Sequence, residues 1–398
     1  MRYFLAVSLG KSLRFALRLI RRGGGSALPG LIVSKLAPGL LARALADLPM
    51  GVVVVSGSAG KSSTTQTIVR MLTGSGLKVF TNPSTANIAQ GYYSAILAES
   101  SLSGKLDYDI AVLEVDEGHG AQLAAKIKPR LAVLTNVLSD QLDRFVDPHN
   151  VIDMLQQIAH NSASVVINAD DPNLNQLDLP PTTKAVGLAD ALLKSKDAPL
   201  YAFNFNDPVA IERIALASQS SISFQGHDYP SSSSSPEHLL NDALALVAAN
   251  QITEIPLEVA RSVLANDERV FARNEEVSVE GRKIRIRLVQ NPTSFQLNLD
   301  ELDGSETPLM LMAGSDIHDP SWLWTVDFSK LGKVDIVGGS NAYDLALRLS
   351  YAGVEVAEVI PDPQDAGDRF LQLSGAVPTV LFSADAMRRL RRHWGLAK

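Results

Sequence analysis

Gly51-Val52-Val53-Val54-Val55-Ser56-Gly57-Ser58-Ala59-Gly60-Lys61-Ser62-Ser63 is the stretch on which the fold turns. Its first half is an unbroken β-branched run, which predicts a strand buried on both faces of a parallel sheet, since a strand with one wet face would alternate. Its second half is a tight glycine turn ending in a lysine and hydroxyl residues. Thr64 to Leu72 then reads as a helix stopping near Gly74-Ser75-Gly76, and Leu77 to Thr81 as the next strand. In such a βαβ unit, main-chain N–H groups and a helix N-terminus converge on the loop and suit it to phosphate oxygens. Lys61 adds a point charge, and Ser62 stands where the hydroxyl of a phosphate-binding loop meets magnesium. Val55 occupies the usual first glycine position, so the motif is a shortened form on Gly57 and Gly60. Its alternative is an ordinary glycine turn.

Working outward, Ile110 to Val115, Leu131 to Thr135 and Ser164 to Ile167 read as further buried strands with helical stretches between them, which makes a doubly wound α/β domain. Ser231 to Ser235, between Pro230 and Pro236, reads as a mobile low-complexity loop, and Glu237 to Asn250 as an Ala- and Leu-rich helix. Val277 to Val279 and Ile284 to Val289 predict two strands around the Glu280-Gly281 turn. With Leu309 to Met312, Val334 to Val337, Val354 to Ile360, Thr379 to Phe382 and a helix over Ala342 to Leu349, they give a second, smaller α/β domain. The boundary is expected at about residue 267, giving domains 1–267 and 268–398.

With 398 residues, 46% hydrophobic and 20% charged, the chain has enough apolar surface for two cores. A net charge of −7 argues against general nucleic-acid binding, which needs clustered Lys and Arg in excess. The absence of cysteine removes disulfides, thiolate nucleophiles and Cys-ligated zinc, so no zinc is expected, and the seven histidines, His119 and His318 among them, show no metal-ligand spacing. Met1 to Arg22 is apolar and basic. Lys11 and Arg14 interrupt it well short of the roughly 18 residues a bilayer span needs, and no small-residue cleavage site precedes Arg21-Arg22. Phe4, Leu5, Leu9, Leu13, Ala16, Leu17 and Ile20 instead fall near helical spacing, which predicts an amphipathic helix docked through that stripe on its own domain; contact with a membrane surface is the alternative. A cytoplasmic location, at most at the inner face of the membrane, follows as the expectation.

Glu114 and Asp116 close an apolar strand, where the sites of open α/β sheets gather, and such carboxylates can hold Mg²⁺ beside a phosphate loop or merely cap a strand end. Thr135-Asn136, leading into Asp140 to Arg144, is a further candidate face of the same crevice. Asn168-Ala169-Asp170-Asp171-Pro172, after the next strand, is equally readable as an ordinary Asn/Asp turn.

In this order the pieces resemble the Mur ligase family, and within it the MurT-type subunits of lipid II isoglutaminyl synthase. The likeness is carried by the glycine loop, Arg22 to Gly30, Leu113 to Glu117, Leu134 to Arg144, Asn168 to Pro172, Asn291 to Phe295, Asp319-Pro320-Ser321-Trp322-Leu323-Trp324 and Ala346 to Val354. It implies a Mur-ligase-like ATP-binding domain with a parallel sheet, followed by a Rossmann-like α/β domain. It implies ATP and Mg²⁺ as cofactors, with Gly57, Ser58, Ala59, Gly60, Lys61, Ser62 and Ser63 on the phosphates, Ser62 and Glu114 on the metal, and Asn168 and Asp171 on the adenosine. Lys61 and Asp319 are the implied catalytic residues, Asp319 completing the triad of a GatD-like class I glutaminase partner. By its place before Pro320, Asp319 is equally a helix N-cap. The implied reaction amidates the D-glutamate of a lipid II stem peptide. Departures are Ala59 for asparagine, Ser62 for threonine, Thr85 for glycine, Gln290 for lysine, and a short serine-rich stretch where the family carries a four-cysteine zinc ribbon. Two rivals stay open: a Mur-like ligase joining an amino acid or amine to another carboxylate without a glutaminase, and a non-catalytic ATP-binding subunit.

Overall fold

The structure is a computed structural model that describes residues 2–20, 28–83, 89–137, 148–193, 212–232, 235–266, 275–289, 291–317 and 320–396. The chain divides into two compact units at residues 268/269.

The first unit opens with three helices, α1 (Arg2–Ile20), α2 (Leu28–Leu36) and α3 (Leu40–Ala46), then alternates: β1 (Val52–Ser56), α4 (Lys61–Gly74), β2 (Val79–Thr81), α5 (Ala89–Glu99), β3 (Ile110–Glu114), α6 (Glu117–Ile127), β4 (Leu131–Leu134), α7 (Pro148–Asn161) and β5 (Val165–Asn168). It continues through β6 (Lys184–Leu188), α8 (Asp190–Leu193), β7 (Arg213–Ser218), β8 (Ser221–Phe224), β9 (His227–Pro230), α9 (Pro236–Ile252) and α10 (Leu257–Ala265). The sheet order is β2-β3-β1-β4-β5-β6-β7-β8-β9, parallel as far as β7 and antiparallel through the β7-β8-β9 meander. The β-branched run earns its place residue by residue. Val52 and Val54 enter one core with α2, α3, α5, α6 and α7, while Val53 and Val55 enter the opposite core with α4, α9 and α10. Both faces are dry, which is why the run does not alternate. Since the chain leaves β1 first toward β2 and β3 and then toward β4 and β5, β1 is the topological switch point, where ligands of open sheets bind beyond the carboxyl ends of the strands.

Two expectations need correction. The N-terminal helix docks on its own unit, but through a different face: Ala6, Val7 and Gly10 are buried, whereas Phe4, Leu5 and Leu9 of the expected stripe point outward. The cause is close approach, because a Cβ on Gly10 would lie 2.7 Å from Val33 Cγ2 and 2.8 Å from Leu97 Cδ2, so only small side chains fit against α2 and α5. The serine run is also not a bare loop where it is described. Ser231 donates its N–H to the Ser220 carbonyl and its hydroxyl to Asp242, Ser232 N–H donates to the Leu264 carbonyl, and Ser235 caps α9 by accepting from His238 N–H. Serine's side chain satisfies backbone groups locally, so a serine-rich stretch can be pinned.

The second unit comprises β10 (Glu275–Val279), β11 (Arg282–Leu288), α11 (Pro292–Asp300), β12 (Leu309–Met312), β13 (Lys333–Gly338), α12 (Ala342–Tyr351), β14 (Glu355–Ile360), α13 (Pro363–Gln372), β15 (Thr379–Phe382) and α14 (Ala384–His393). Its sheet order is β10-β11-β15-β12-β13-β14, with only the β10-β11 hairpin antiparallel. Leu309 and Leu311 pack with α11 and α12 on one face, Met310 and Met312 with α13 and α14 on the other.

Candidate functional site

Beyond Ser56 the chain makes its glycine turn at the carboxyl end of β1. Gly57 sits at φ +127° and Gly60 at φ +81°, conformations that side-chain-bearing residues rarely adopt. Space enforces the same choice. A Cβ on Gly57 would lie 2.3 Å from Thr135 Oγ1, and one on Gly60 would lie 2.4 Å from the Asn241 side chain. Gly60 turns the chain directly into α4, so the helix starts at Lys61, three residues ahead of the sequence expectation. The loop is strapped to the end of β4. Ser58 N–H donates to the Asn136 carbonyl at 2.9 Å, Ala59 N–H donates to Asn136 Oδ1 at 2.8 Å, and Thr135 Oγ1 donates to the Ala59 carbonyl at 2.6 Å.

Lys61 folds back over this loop. Its ammonium donates to the carbonyls of Gly57 and Ser58 and lies 3.3 Å from Glu117 Oε1. Glu117 is buried, with 1% of its side chain exposed, and its second oxygen has no hydrogen-bond partner among the described residues. Ser62, buried, and Ser63, half-buried, occupy the first turn of α4, whose initial N–H groups lack a carbonyl four residues back within the helix.

Glu114 is the last residue of β3 and lies in register with Val55, two residues ahead of Gly57. It is buried at 4% exposure, and its main chain is clamped by Asn82, which accepts from its N–H and donates to its carbonyl. Asp116, also buried, accepts from His119 N–H and lies 3.2 Å from His119 Nδ1. Tyr92 packs near these acids, and its hydroxyl is pushed upward in pKa by burial first and then by the charges of Asp116 and Glu114. No cluster of three or more His, Cys, Asp or Glu able to hold a metal occurs among the described residues. Glu114 with a serine hydroxyl is still a sufficient protein share for Mg²⁺, which keeps waters and takes phosphate oxygens as its remaining ligands.

At the end of β5, Asn168 accepts from Asp170 N–H. Asp171, expected against adenosine, is fully buried: its carboxylate accepts from the N–H groups of Val137, Asn173 and Leu174, tying the segment after β4 to the turn after β5. The structure thus shows a clamp at this position. Burial outweighs those three bonds and raises its pKa to about 6. Asp170, equally buried, pairs with Arg213 at 2.6 Å and is likewise raised to about 6 by burial. Asp319 and Asp140 to Arg144 lie outside the described residues, as do Thr85 and Gln290. The nearest described residues to Asp319 begin a 3₁₀ turn at Pro320–Thr325.

Two residues at the loop were not singled out from sequence. Glu117 entered only as the end of the stretch Leu113 to Glu117, and Asn241 only as part of a helix. Asn241 carried a signal nonetheless, as a polar residue between Leu240 and the buried run Ala243 to Ala249.

A glycine loop with a lysine, at a parallel-sheet switch point and flanked by a buried carboxylate, is a phosphate-binding arrangement. The Mur ligase middle domain profile matches residues 55–206, and the MurT ligase C-terminal profile matches residues 288–374. The chain thus carries a Mur ligase middle domain followed by a MurT-type C-terminal domain. The chain is an ATP-dependent ligase. The Mur ligase match covers the glycine loop, Glu114 and the Asn168 turn, and the MurT match covers the second unit from the end of β11 to α13. A curated relative, the lipid II isoglutaminyl synthase (glutamine-hydrolyzing) subunit MurT of Staphylococcus aureus, is 25% identical over 98% of both chains. Among solved structures, a pseudomurein peptide ligase type C from Methanothermus fervidus superposes with a TM-score of 0.66 at 17% identity, covering 88% of this chain and 79% of that one. MurF ligase from Thermotoga maritima, solved in complex with ADP, gives a TM-score of 0.63 at 19% identity, covering 92% and 83%. These two likenesses establish the Mur ligase fold.

Proposed function

We propose that the chain is the ligase subunit of a glutamine-dependent synthase that amidates lipid II. ATP with Mg²⁺ supplies the phosphoryl group that converts the α-carboxylate of the stem-peptide D-glutamate into an acyl phosphate, from which ammonia displaces phosphate to leave D-isoglutamine. The chain's own residues bind and position. The main-chain N–H groups from Gly60 to Ser63, at the start of α4, face the phosphates, Lys61 neutralises charge on the transferring group, and Ser62 with Glu114 would hold the metal. The strapping of the loop to Thr135 and Asn136 fixes those donors beforehand, so little reorganisation accompanies transfer.

The observation that carries this reading is the glycine loop with Lys61 in a chain similar from end to end to a subunit named for lipid II isoglutaminyl synthesis. The second unit supports a protein partner. Tyr343, Leu347 and Tyr351 form one exposed face of α12, and Trp324 lies edge-on to Tyr351 with Arg348 over its ring. An exposed apolar cluster of this kind marks an interaction surface, and it adjoins the turn that Asp319 precedes. The partner is a GatD-like class I glutaminase, with Asp319 contributed to its triad, and the assembly is cytoplasmic.

The test is amidation of lipid II by the chain co-purified with a class I glutaminase, followed by mass spectrometry. Product is expected from glutamine only when both chains and Lys61 are intact, and Asp319→Asn should abolish use of glutamine while leaving use of free ammonia. Transfer of an amino acid to a carboxylate acceptor without any glutaminase would establish the rival ligase instead.

A further inference from the structure

Helix α1 carries two apolar faces, and the fold uses only one. Ala6, Val7 and Gly10 are buried against α2 and α5, and Arg14 reaches across to donate to the Ser94 carbonyl. On the opposite side Phe4 is 47% exposed, Leu5 60%, Leu9 51% and Phe15 66%. At 100° per residue these four fall on one broad face with no charged residue among them. A helix face in water normally carries the charges, so large apolar residues there mark a surface meant to be covered.

The charge of the helix says what covers it. The chain is acidic overall, at −7, yet α1 holds Arg2, Lys11, Arg14 and Arg18 and no Asp or Glu. Lys11 stands on the flank of the exposed face. A row of Phe and Leu on a helix whose own charged residues are all basic complements an anionic lipid surface, in which apolar side chains enter the acyl boundary and cations meet headgroup phosphates. No single helix among the described residues is long and apolar enough to cross a membrane, so the arrangement is one of lying on a bilayer. We infer that α1 is a peripheral membrane anchor that binds anionic lipid bilayers through Phe4, Leu5, Leu9 and Phe15. The inference rests on this face alone and stands or falls independently of the proposed reaction.

Flotation of the full chain with phosphatidylcholine vesicles, with and without phosphatidylglycerol, tests it. Binding is expected to vesicles containing phosphatidylglycerol and to weaken with salt. The triple variant Phe4→Ser/Leu9→Ser/Phe15→Ser should lose about ten-fold or more in vesicle affinity, with an unchanged melting temperature and unchanged nucleotide binding. Phe15→Ser alone provides the milder variant should the triple one fold poorly. Lys11→Glu should reduce the preference for phosphatidylglycerol. Failure of the wild-type chain to float, or equal flotation of the serine variants, overturns the inference. So does a lipid-independent dimer that the serine substitutions dissolve, which would assign the face to a second copy of this chain.

Discussion

The ammonium of Lys61 lies 3.3 Å from Oε1 of Glu117, a residue 56 positions further along the chain, and the pair is largely buried at the start of α4. A lysine held this way is placed before any nucleotide arrives.

Removing Lys61 alone would leave a buried carboxylate without compensation. Lys61→Ala is therefore expected to destabilise the first unit by about 2–4 kcal/mol, and Lys61→Ala/Glu117→Gln to recover much of that loss. Urea denaturation of the two single variants and the double variant measures the coupling. Strict additivity would contradict the pairing.

Gly57→Ala has to place a methyl group 2.3 Å from Thr135 Oγ1 in a strained backbone conformation. Gly76 also has positive φ, +90°, but nothing lies within 4 Å of a Cβ built there. Gly76→Ala should thus cost only the conformational strain, about 1 kcal/mol, and Gly57→Ala about 2–4 kcal/mol with collapse of the loop. Thermal unfolding of both variants separates the two contributions, and equal costs would show that the loop is looser than its geometry states.

The side chain of Asn136 holds Ala59 from both sides, accepting from its N–H and donating to its carbonyl. Asn136→Ala leaves the phosphate-facing residues in place but frees the loop. A rise of about ten-fold in KM for ATP is expected, corresponding to about 1–1.5 kcal/mol of lost preorganisation. Steady-state kinetics that show an unchanged KM would remove this strap from the account.

Asp171 gives the pH dependence a definite sign. Its folded pKa, about 6, stands above its ordinary value of 3.8, so the folded chain holds the proton more tightly. Stability therefore falls as pH rises from about 4 to about 6 and levels off above that. Asp170 contributes a slope of the same sign. Asp171→Asn should flatten this part of the profile by roughly 2–3 kcal/mol, while lowering stability at acid pH because it disturbs the backbone contacts of Val137, Asn173 and Leu174. Denaturant midpoints across that range provide the check, and a wild-type curve rising with pH there would contradict the assignment.

The parts of this molecule that could be read from sequence are those where local chemistry and long-range packing agree. Val52 to Val55 declares a twice-buried strand because each valine meets one of two dry cores, and Gly57 and Gly60 declare a turn because no other residue fits their backbone. What stayed hidden depends on partners remote in sequence. Nothing local tells that Glu117 meets Lys61, or that Asn241 lies against Gly60. The outward face of α1 was hidden for another reason: a periodicity locates an apolar stripe but does not say which side the domain takes, and the close approach of Val33 and Leu97 decided that in favour of the small residues. The β7-β8-β9 meander escaped notice because its strands are short and serine-rich.

Everything functional here depends on the loop from Gly57 to Ser63 gripping the phosphates of ATP. Isothermal titration calorimetry with a non-hydrolysable ATP analogue and magnesium tests that directly, on the wild-type chain and on Gly60→Ala. One-site binding by the wild type, lost in a Gly60→Ala protein that remains folded, is the expected result. Absence of binding by the wild type, or equal affinity in the variant, would contradict the account.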